Sequence, residues 1–158
     1  MQAPDSPPSS PHTPRILIAD DDPKGAELLE AYLSDTECEL RIASDGEQTL
    51  QEVVSWKPDI VLLDIMMPRI SGFEVCKRLR ANPPTHGIGV LMITALDHPS
   101  DIDRAVDAGT DDFLTKPINK SDLLLRVRSL LSSLQNKREL DRVLTYIEAV
   151  EKRDPNRG

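Results

Sequence analysis

Short apolar runs that each stop at a polar residue constrain this chain more than any other feature. Ile16-Leu17-Ile18-Ala19 stops at Asp20, Asp21 and Asp22, and Ile60-Val61-Leu62-Leu63 stops at Asp64. The run from Ile88 to Ile93 stops at Thr94, and the shorter Asp112-Phe113-Leu114-Thr115 stops at Lys116. Runs this brief and continuous read as strands covered on both faces.

Between the runs the period changes to that of a helix. Asp22-Pro23 offers an N-cap followed by proline at the first helical position, with Leu28, Leu29, Tyr32 and Leu33 at helical spacing behind it. Cys38, Leu40 and Ile42 alternate with charged residues, which predicts a more exposed second strand. Asp45 then caps a helix carrying Leu50, Val53, Val54 and Trp56, and Lys57-Pro58 ends it. Met66-Met67-Pro68 and Ser71-Gly72 mark a loop before a third helix with Phe73, Val75, Cys76 and Leu79, which Asn82-Pro83-Pro84 breaks. Pro99-Ser100-Asp101 opens a fourth helix through Ile102, Ala105 and Val106, closed by Gly109 as a left-handed cap. A long helical pattern begins near Ser121. Five strands alternating with five helices specify an α/β fold, doubly wound, with a five-stranded parallel sheet and right-handed crossovers.

The chain has 158 residues, room for one domain and a remainder. With 19 Lys+Arg against 27 Asp+Glu the net charge is −8, which argues against a generic nucleic-acid binder. Cys38 and Cys76 fit no metal spacing and are too few for a disulfide framework, so a reducing, cytoplasmic setting is expected. No apolar run approaches the ~20 residues of a membrane span. Residues 1–14 hold five prolines and three serines without an apolar or basic targeting segment, and read as a disordered leader.

In open parallel sheets, ligands bind outside the carboxyl ends of the strands, where the strand order reverses. The exits here carry Asp20 and Asp21, Asp64, Thr94 and Lys116. Three converging carboxylates repel, so either their pKa values rise or a cation sits among them. Carboxylate oxygens suit a hard ion such as Mg²⁺, and neither cysteine nor any of His12, His86 and His98 lies at an exit to favour a softer metal.

Residues 15 to about 132 resemble the receiver domain of bacterial two-component response regulators. The resemblance rests on Arg-Ile-Leu-Ile-Ala-Asp-Asp-Asp-Pro at 15–23 and Pro-Asp-Ile-Val-Leu-Leu-Asp-Ile-Met-Met-Pro at 58–68 with Ser71-Gly72-Phe73. Ile-Thr-Ala at 93–95 and Asp-Asp-Phe-Leu-Thr-Lys-Pro at 111–117 complete it. It implies a flavodoxin-like fold and makes Asp64 the phosphoacceptor for a histidine kinase or a histidine phosphotransfer protein. It makes Asp21, Asp64 and the Met66 backbone carbonyl ligands of Mg²⁺, with Asp20 acting mainly through a water. Thr94 and Lys116 would bind phosphoryl oxygens, Phe113 would be the switch aromatic, and Lys116-Pro117 a cis peptide. Met66 and Leu96 stand where the family tunes phosphoryl lifetime. Neither side chain can orient a hydrolytic water, so slow self-dephosphorylation is expected. Gly89 stands where many relatives carry proline.

From Lys120 to Gly158 there are nine Lys+Arg and six Asp+Glu, giving +3, against ten and twenty-one, giving −11, in the preceding 119 residues. Val127, Leu130 and Leu134 keep heptad-like spacing, Lys137 interrupts it, and Leu140, Leu144 and Ile147 resume, with no helix breaker before Pro155. The last helix is therefore expected to continue beyond a receiver at 15–132, as a helical extension and tail over 133–158. Its stripe would serve a homodimer or another protein, or fold back on its own domain. No DNA-recognition module follows, so the reading is a single-domain response regulator that signals by protein contact, as a relay or an adaptor, without direct nucleic-acid or membrane binding.

Two other readings compete. A haloacid-dehalogenase-like phosphohydrolase also uses an aspartate nucleophile and Mg²⁺, but Pro23-Lys24 follows the Asp20–Asp22 spacing where that family needs a small residue and Thr or Val. A phosphorylation-independent scaffold would keep the fold without the chemistry, and the intact Asp20, Asp21, Asp64, Thr94 and Lys116 argue against it.

Overall fold

The computed structural model describes residues 12–95 and 98–153. Strands β1 (Arg15–Ala19), β2 (Glu39–Ala43), β3 (Ile60–Asp64), β4 (Gly89–Thr94) and β5 (Asp112–Thr115) alternate with helices α1 (Pro23–Leu33), α2 (Gly46–Ser55), α3 (Gly72–Ala81), α4 (Pro99–Ala108) and α5 (Lys120–Arg153). The strands form one parallel sheet in the order β2-β1-β3-β4-β5. The chain runs from β1 outward to β2 and returns to β3 on the other side of β1. The carboxyl ends of β1 and β3 thus border the crevice where such sheets bind ligands.

The continuous apolar runs have a simple cause. Successive strand residues face opposite sides, and both sides are covered. Leu17, Ala19, Val61, Leu63, Val90 and Met92 pack with Val53 of α2, Phe73 of α3 and Ala105 of α4, while Ile16, Ile18, Ile60, Leu62, Leu91 and Ile93 pack with Leu29 of α1 and Val127 of α5. β2 is an edge strand, and among its residues Ala43 is buried while Ile42 is exposed, in line with the weaker pattern in its sequence.

The helix starts follow the local chemistry. Asp22 accepts from Lys24 N at 3.1 Å, Asp45 from Gln48 N at 2.7 Å and Ser71 from Glu74 N at 3.3 Å, each satisfying a backbone donor that the first helical turn leaves open. Gly109 ends α4 at φ 96°, the left-handed conformation expected of it. On α4 the buried residues are Ala105 and Ala108, whereas Ile102 and Val106 are exposed.

α5 is one helix of 34 residues, about 50 Å long at 1.5 Å per residue. Leu123, Val127 and Leu134 bury its first half. Arg138 makes a last polar anchor, donating from Nη2 to Asp59 Oδ1 at 2.7 Å. Asp59, just ahead of β3, also accepts from Arg15 N at 2.8 Å, and His12 Nε2 lies 3.0 Å from its Oδ2. Burial pushes the Asp59 carboxyl up, but the Arg15 N–H, Arg138 and His12 together hold it below the usual carboxylate range. Of the expected leader, residues 1–11 lie outside the described residues, as do Leu96, Asp97 and 154–158. Among the described residues no helix is long and apolar enough to cross a membrane.

Candidate functional site

Parallel register brings the strand exits level. Ala19 pairs with Leu63, Asp64 with Ile93, and Thr94 with Thr115, so Asp20, Asp64, Thr94 and Lys116 all end up at one edge of the sheet. Ligand oxygens of Asp20, Asp21 and Asp64 lie within 4.8 Å of one another. Asp20 and Asp64 are buried, at 3% and 7% exposure, while Asp21 is exposed.

Lys116 reaches into this group from the end of β5. Its Nζ stands 3.5 Å from Asp64 Oδ2 and 3.7 Å from Asp20 Oδ2. The Lys116–Pro117 peptide is cis, as the sequence resemblance implied. Lys116 N also donates to Thr94 O at 2.8 Å, which ties the loop after β5 to the end of β4. Thr94 itself is fully buried.

The carboxylates are unequally satisfied. Asp20 Oδ1 accepts from Asp22 N at 3.0 Å, and Asp64 Oδ1 from Met66 N at 3.1 Å. Among the described residues Asp20 Oδ2 has no hydrogen-bond partner, and the one cation facing it is the Lys116 ammonium at 3.7 Å, which it shares with Asp64. Burial pushes the Asp64 carboxyl up to about 6, Asp20 beside it acts in the same direction, and Lys116 and the Met66 N–H oppose them. Three acids against one ammonium leave an excess of negative charge, and an orphaned buried carboxylate oxygen is costly unless something positive faces it. An all-oxygen donor set of this kind fits a small hard divalent cation such as Mg²⁺.

Two glycines hold the cluster together, and sequence reasoning passed over what one of them does and missed the other. A Cβ on Gly25, in the first turn of α1, would lie 2.4 Å from Asp20 Oδ2. A Cβ on Gly72 would lie 2.4 Å from the Asp64 carbonyl oxygen, and Gly72 N donates to Ile65 O at 2.9 Å. Ser71-Gly72 is therefore more than a loop marker, since it lets the start of α3 close against the end of β3. The signal available in the sequence was a glycine placed shortly behind each acidic exit.

The remaining candidates sit farther out. Met66 follows Asp64 with its backbone N–H on that carboxylate and its side chain 61% exposed. Leu96 lies outside the described residues. Phe113 is in register with Met92 and half-buried against the core that α2, α3 and α4 cover, so it is neither a free surface residue nor fully enclosed.

Comparison with known proteins gives a consistent picture. The family described as response regulator receiver domain matches residues 16–128. The chain is 43% identical over 118 residues to the DNA-binding dual master transcriptional regulator RpaA of Synechocystis sp., covering 75% of this chain and 49% of that protein. It is 46% identical over 116 residues to the response regulator PleD of Caulobacter vibrioides, covering 73% of this chain and 26% of that one. The chain thus matches about half or less of the length of these curated relatives. Among solved structures, the signal receiver domain of a signal transduction histidine kinase from Syntrophus aciditrophicus aligns with TM-score 0.72 at 32% identity, over 77% of this chain and 92% of that one. A CheY-like response regulator receiver domain protein from Methanospirillum hungatei aligns with TM-score 0.74 at 25% identity, over 80% and 99%.

Proposed function

The chain belongs to the response regulator receiver domain family, a signalling family of two-component systems, and from that premise we propose that Asp64 is its phosphoacceptor. The observation that carries the reading is the placement of Lys116 Nζ between the Asp20 and Asp64 carboxylates, in a cluster whose acids lie within 4.8 Å of one another.

The donor in this reading is a phosphohistidine on a histidine kinase or a histidine phosphotransfer protein. A carboxylate oxygen of Asp64 attacks phosphorus, a P–O bond forms, the P–N bond breaks, and the imidazole leaves with the bonding pair. Such a transfer asks the protein chiefly for positioning and for charge stabilisation of the phosphoryl oxygens. Lys116 supplies a fixed ammonium and Thr94 a hydroxyl. Asp20, Asp21, Asp64 and the Met66 backbone carbonyl are the groups to hold Mg²⁺, whose part when bound is to neutralise the acids and the incoming phosphoryl group. Burial of Asp64 disfavours its free charged form. The acid cluster is thereby kept ready for a cation.

Phosphorylation adds negative charge and acceptor oxygens at the strand exits. Thr94 and Lys116 are drawn toward them, and the Lys116 N to Thr94 O hydrogen bond makes the ends of β4 and β5 respond together. Phe113, two residues from the end of β5, repacks with them. We place this chemistry in the cytoplasm, with Cys38 and Cys76 as free thiols.

The test is intact mass of wild type and Asp64→Asn after treatment with acetyl phosphate and Mg²⁺. Wild type gains one phosphoryl group, and the variant or a chelated sample gains none. A wild type that stays unmodified would overturn the assignment, and partner binding unaltered in Asp64→Asn would identify a phosphorylation-independent scaffold.

A further inference from the structure

We propose that the distal half of α5 is the seam of an antiparallel homodimer, in which Leu140, Val143, Ile147 and Val150 pack against the same residues of a second copy running the opposite way. The inference rests on the pattern of this helix alone and is independent of phosphoryl transfer at Asp64.

The apolar face of α5 changes direction where the helix leaves the body. Leu123, Val127 and Leu134 are buried against the sheet, and Arg138 holds Asp59 on the same side. Beyond Arg138 that side carries Asp141, Thr145, Glu148 and Lys152. The apolar residues move instead to Leu140, Val143, Leu144, Ile147 and Val150. At 100° per residue their mean direction is roughly 140° away from Leu134. Leu140, Val143, Leu144, Tyr146 and Ile147 are 45% to 70% exposed. Toward the body, the same outer face continues as Ser129, Ser132, Ser133 and Asn136, so the apolar seam begins at Leu140.

A short seam bounded in this way fits a copy of itself, and the charges select the orientation. With Leu140 and Ile147 at a positions and Val143 and Val150 at d positions, the antiparallel arrangement sets Leu140 against the partner's Val150 and Val143 against the partner's Ile147. The flanking positions then bring Lys137 beside the partner's Glu151 and Glu139 beside the partner's Arg153. Two-fold symmetry repeats each pair. Leu144 and Tyr146 each meet their own counterpart at the centre. A parallel pair would instead set Glu139 beside Leu144 and Tyr146 beside Glu151, with no opposite charges facing.

The geometry also leaves room for the bodies. In the antiparallel register the partner's Arg153 comes level with Lys137, one residue short of the Arg138–Asp59 anchor, and the two bodies lie at opposite ends of the seam. Two such stripes bury an area near the low end of specific interfaces, roughly 1,000 Å² in total. The dimer is accordingly concentration-dependent and not permanent.

The test is sedimentation equilibrium of the full chain from low micromolar to millimolar concentration, with chelator present and in an Asp64→Asn background, so that failure of the phosphoacceptor reading cannot imitate failure of this one. A monomer–dimer equilibrium is expected. Ile147→Lys should stay monomeric, with far-UV circular dichroism confirming that the helix is retained. Lys137→Glu and Glu151→Lys should each weaken the dimer roughly tenfold, and the two together should restore it. A monomer at every concentration, a dimer indifferent to Ile147→Lys, or charge changes without rescue in the double variant would overturn the proposal.

Discussion

Replacing Asp64 by asparagine should make the metal-free protein more stable. The Asp64 carboxyl is pushed from its ordinary 3.8 up to about 6, chiefly by burial and with the help of Asp20, against Lys116 and the Met66 N–H. A shift of that size means that ionised Asp64 disfavours the fold by about 3 kcal/mol at pH 7. The sign follows from linkage. Between about pH 4 and 6 the folded state binds the proton that the unfolded chain has released, so this group's contribution is fully present below 3.8 and is lost as pH rises through 6. Asparagine keeps the shape and removes the charge, while Lys116 retains Asp20 at 3.7 Å. With chelator at pH 7 the variant should melt about 6–12 °C above wild type, at 2–4 °C per kcal/mol for a chain of this size. The gap should close toward pH 4. Added Mg²⁺ should raise the wild type and leave the variant nearly unmoved, because a ligand stabilises only the form that binds it. Thermal unfolding of both proteins across this pH range, with and without Mg²⁺, reads every part of the argument. A variant no more stable than wild type at pH 7, or a gap that does not shrink on acidification, would refute it.

Three other outcomes are expected. Asp59→Ala removes a buried carboxylate that Arg15 N, Arg138 and His12 share, and should cost roughly 1–3 kcal/mol in urea unfolding; since that carboxyl is held low, its contribution is present above the ordinary carboxylate range and fades as pH falls through the folded value. Gly72→Ala puts a methyl 2.4 Å from the Asp64 carbonyl oxygen, so it should destabilise the fold by about 1–3 kcal/mol and slow phosphorylation by acetyl phosphate, both measurable on the same preparation. The aspartyl phosphate of wild type should persist for minutes or longer in purified protein by intact mass, because Met66 has no group to orient a hydrolytic water, and decay within seconds would count against that reasoning.

The strands, the helix caps and the acidic exits were legible in the sequence because each is dictated locally. Burial on both faces writes itself as an uninterrupted apolar run, and a cap needs a short acceptor next to the first helical turn. What stayed hidden depends on approach between distant segments. Nothing about Gly72 in isolation says that it must touch the backbone of Asp64. Arg80 sits in the last turn of α3 like any solvated arginine. It in fact donates to the carbonyls of Gly109, His86 and Ile88 and to Asp111 Oδ2, a clamp drawn from two loops that no periodicity announces. Asp59 was concealed in the same way, as a polar residue ahead of an apolar run. On α4, of the residues Ile102, Ala105 and Val106 that marked the helix in the sequence, Ala105 is buried, together with Ala108, and the two larger ones are exposed.

The last helix separates the two kinds of information within one element. Its continuity from Lys120 to Arg153 was readable, since no breaker intervenes. Lys137, read as an interruption of a single heptad stripe, marks instead the boundary between two stripes on different sides of the helix. The first is fixed by the sheet beneath it, and its end is set by where the sheet ends, at Leu134 and the Arg138–Asp59 anchor. The second begins three residues after Lys137, at Leu140, which still borders a cavity shared with Pro58, Pro84 and Ile88, and runs from there away from the body. A helix solvated all round would need no apolar stripe there, and one packed along its own domain would continue the first. An apolar face turned away from the body, with charges that match only when the helix is reversed against itself, satisfies its own hydrophobic and electrostatic demands in a second copy.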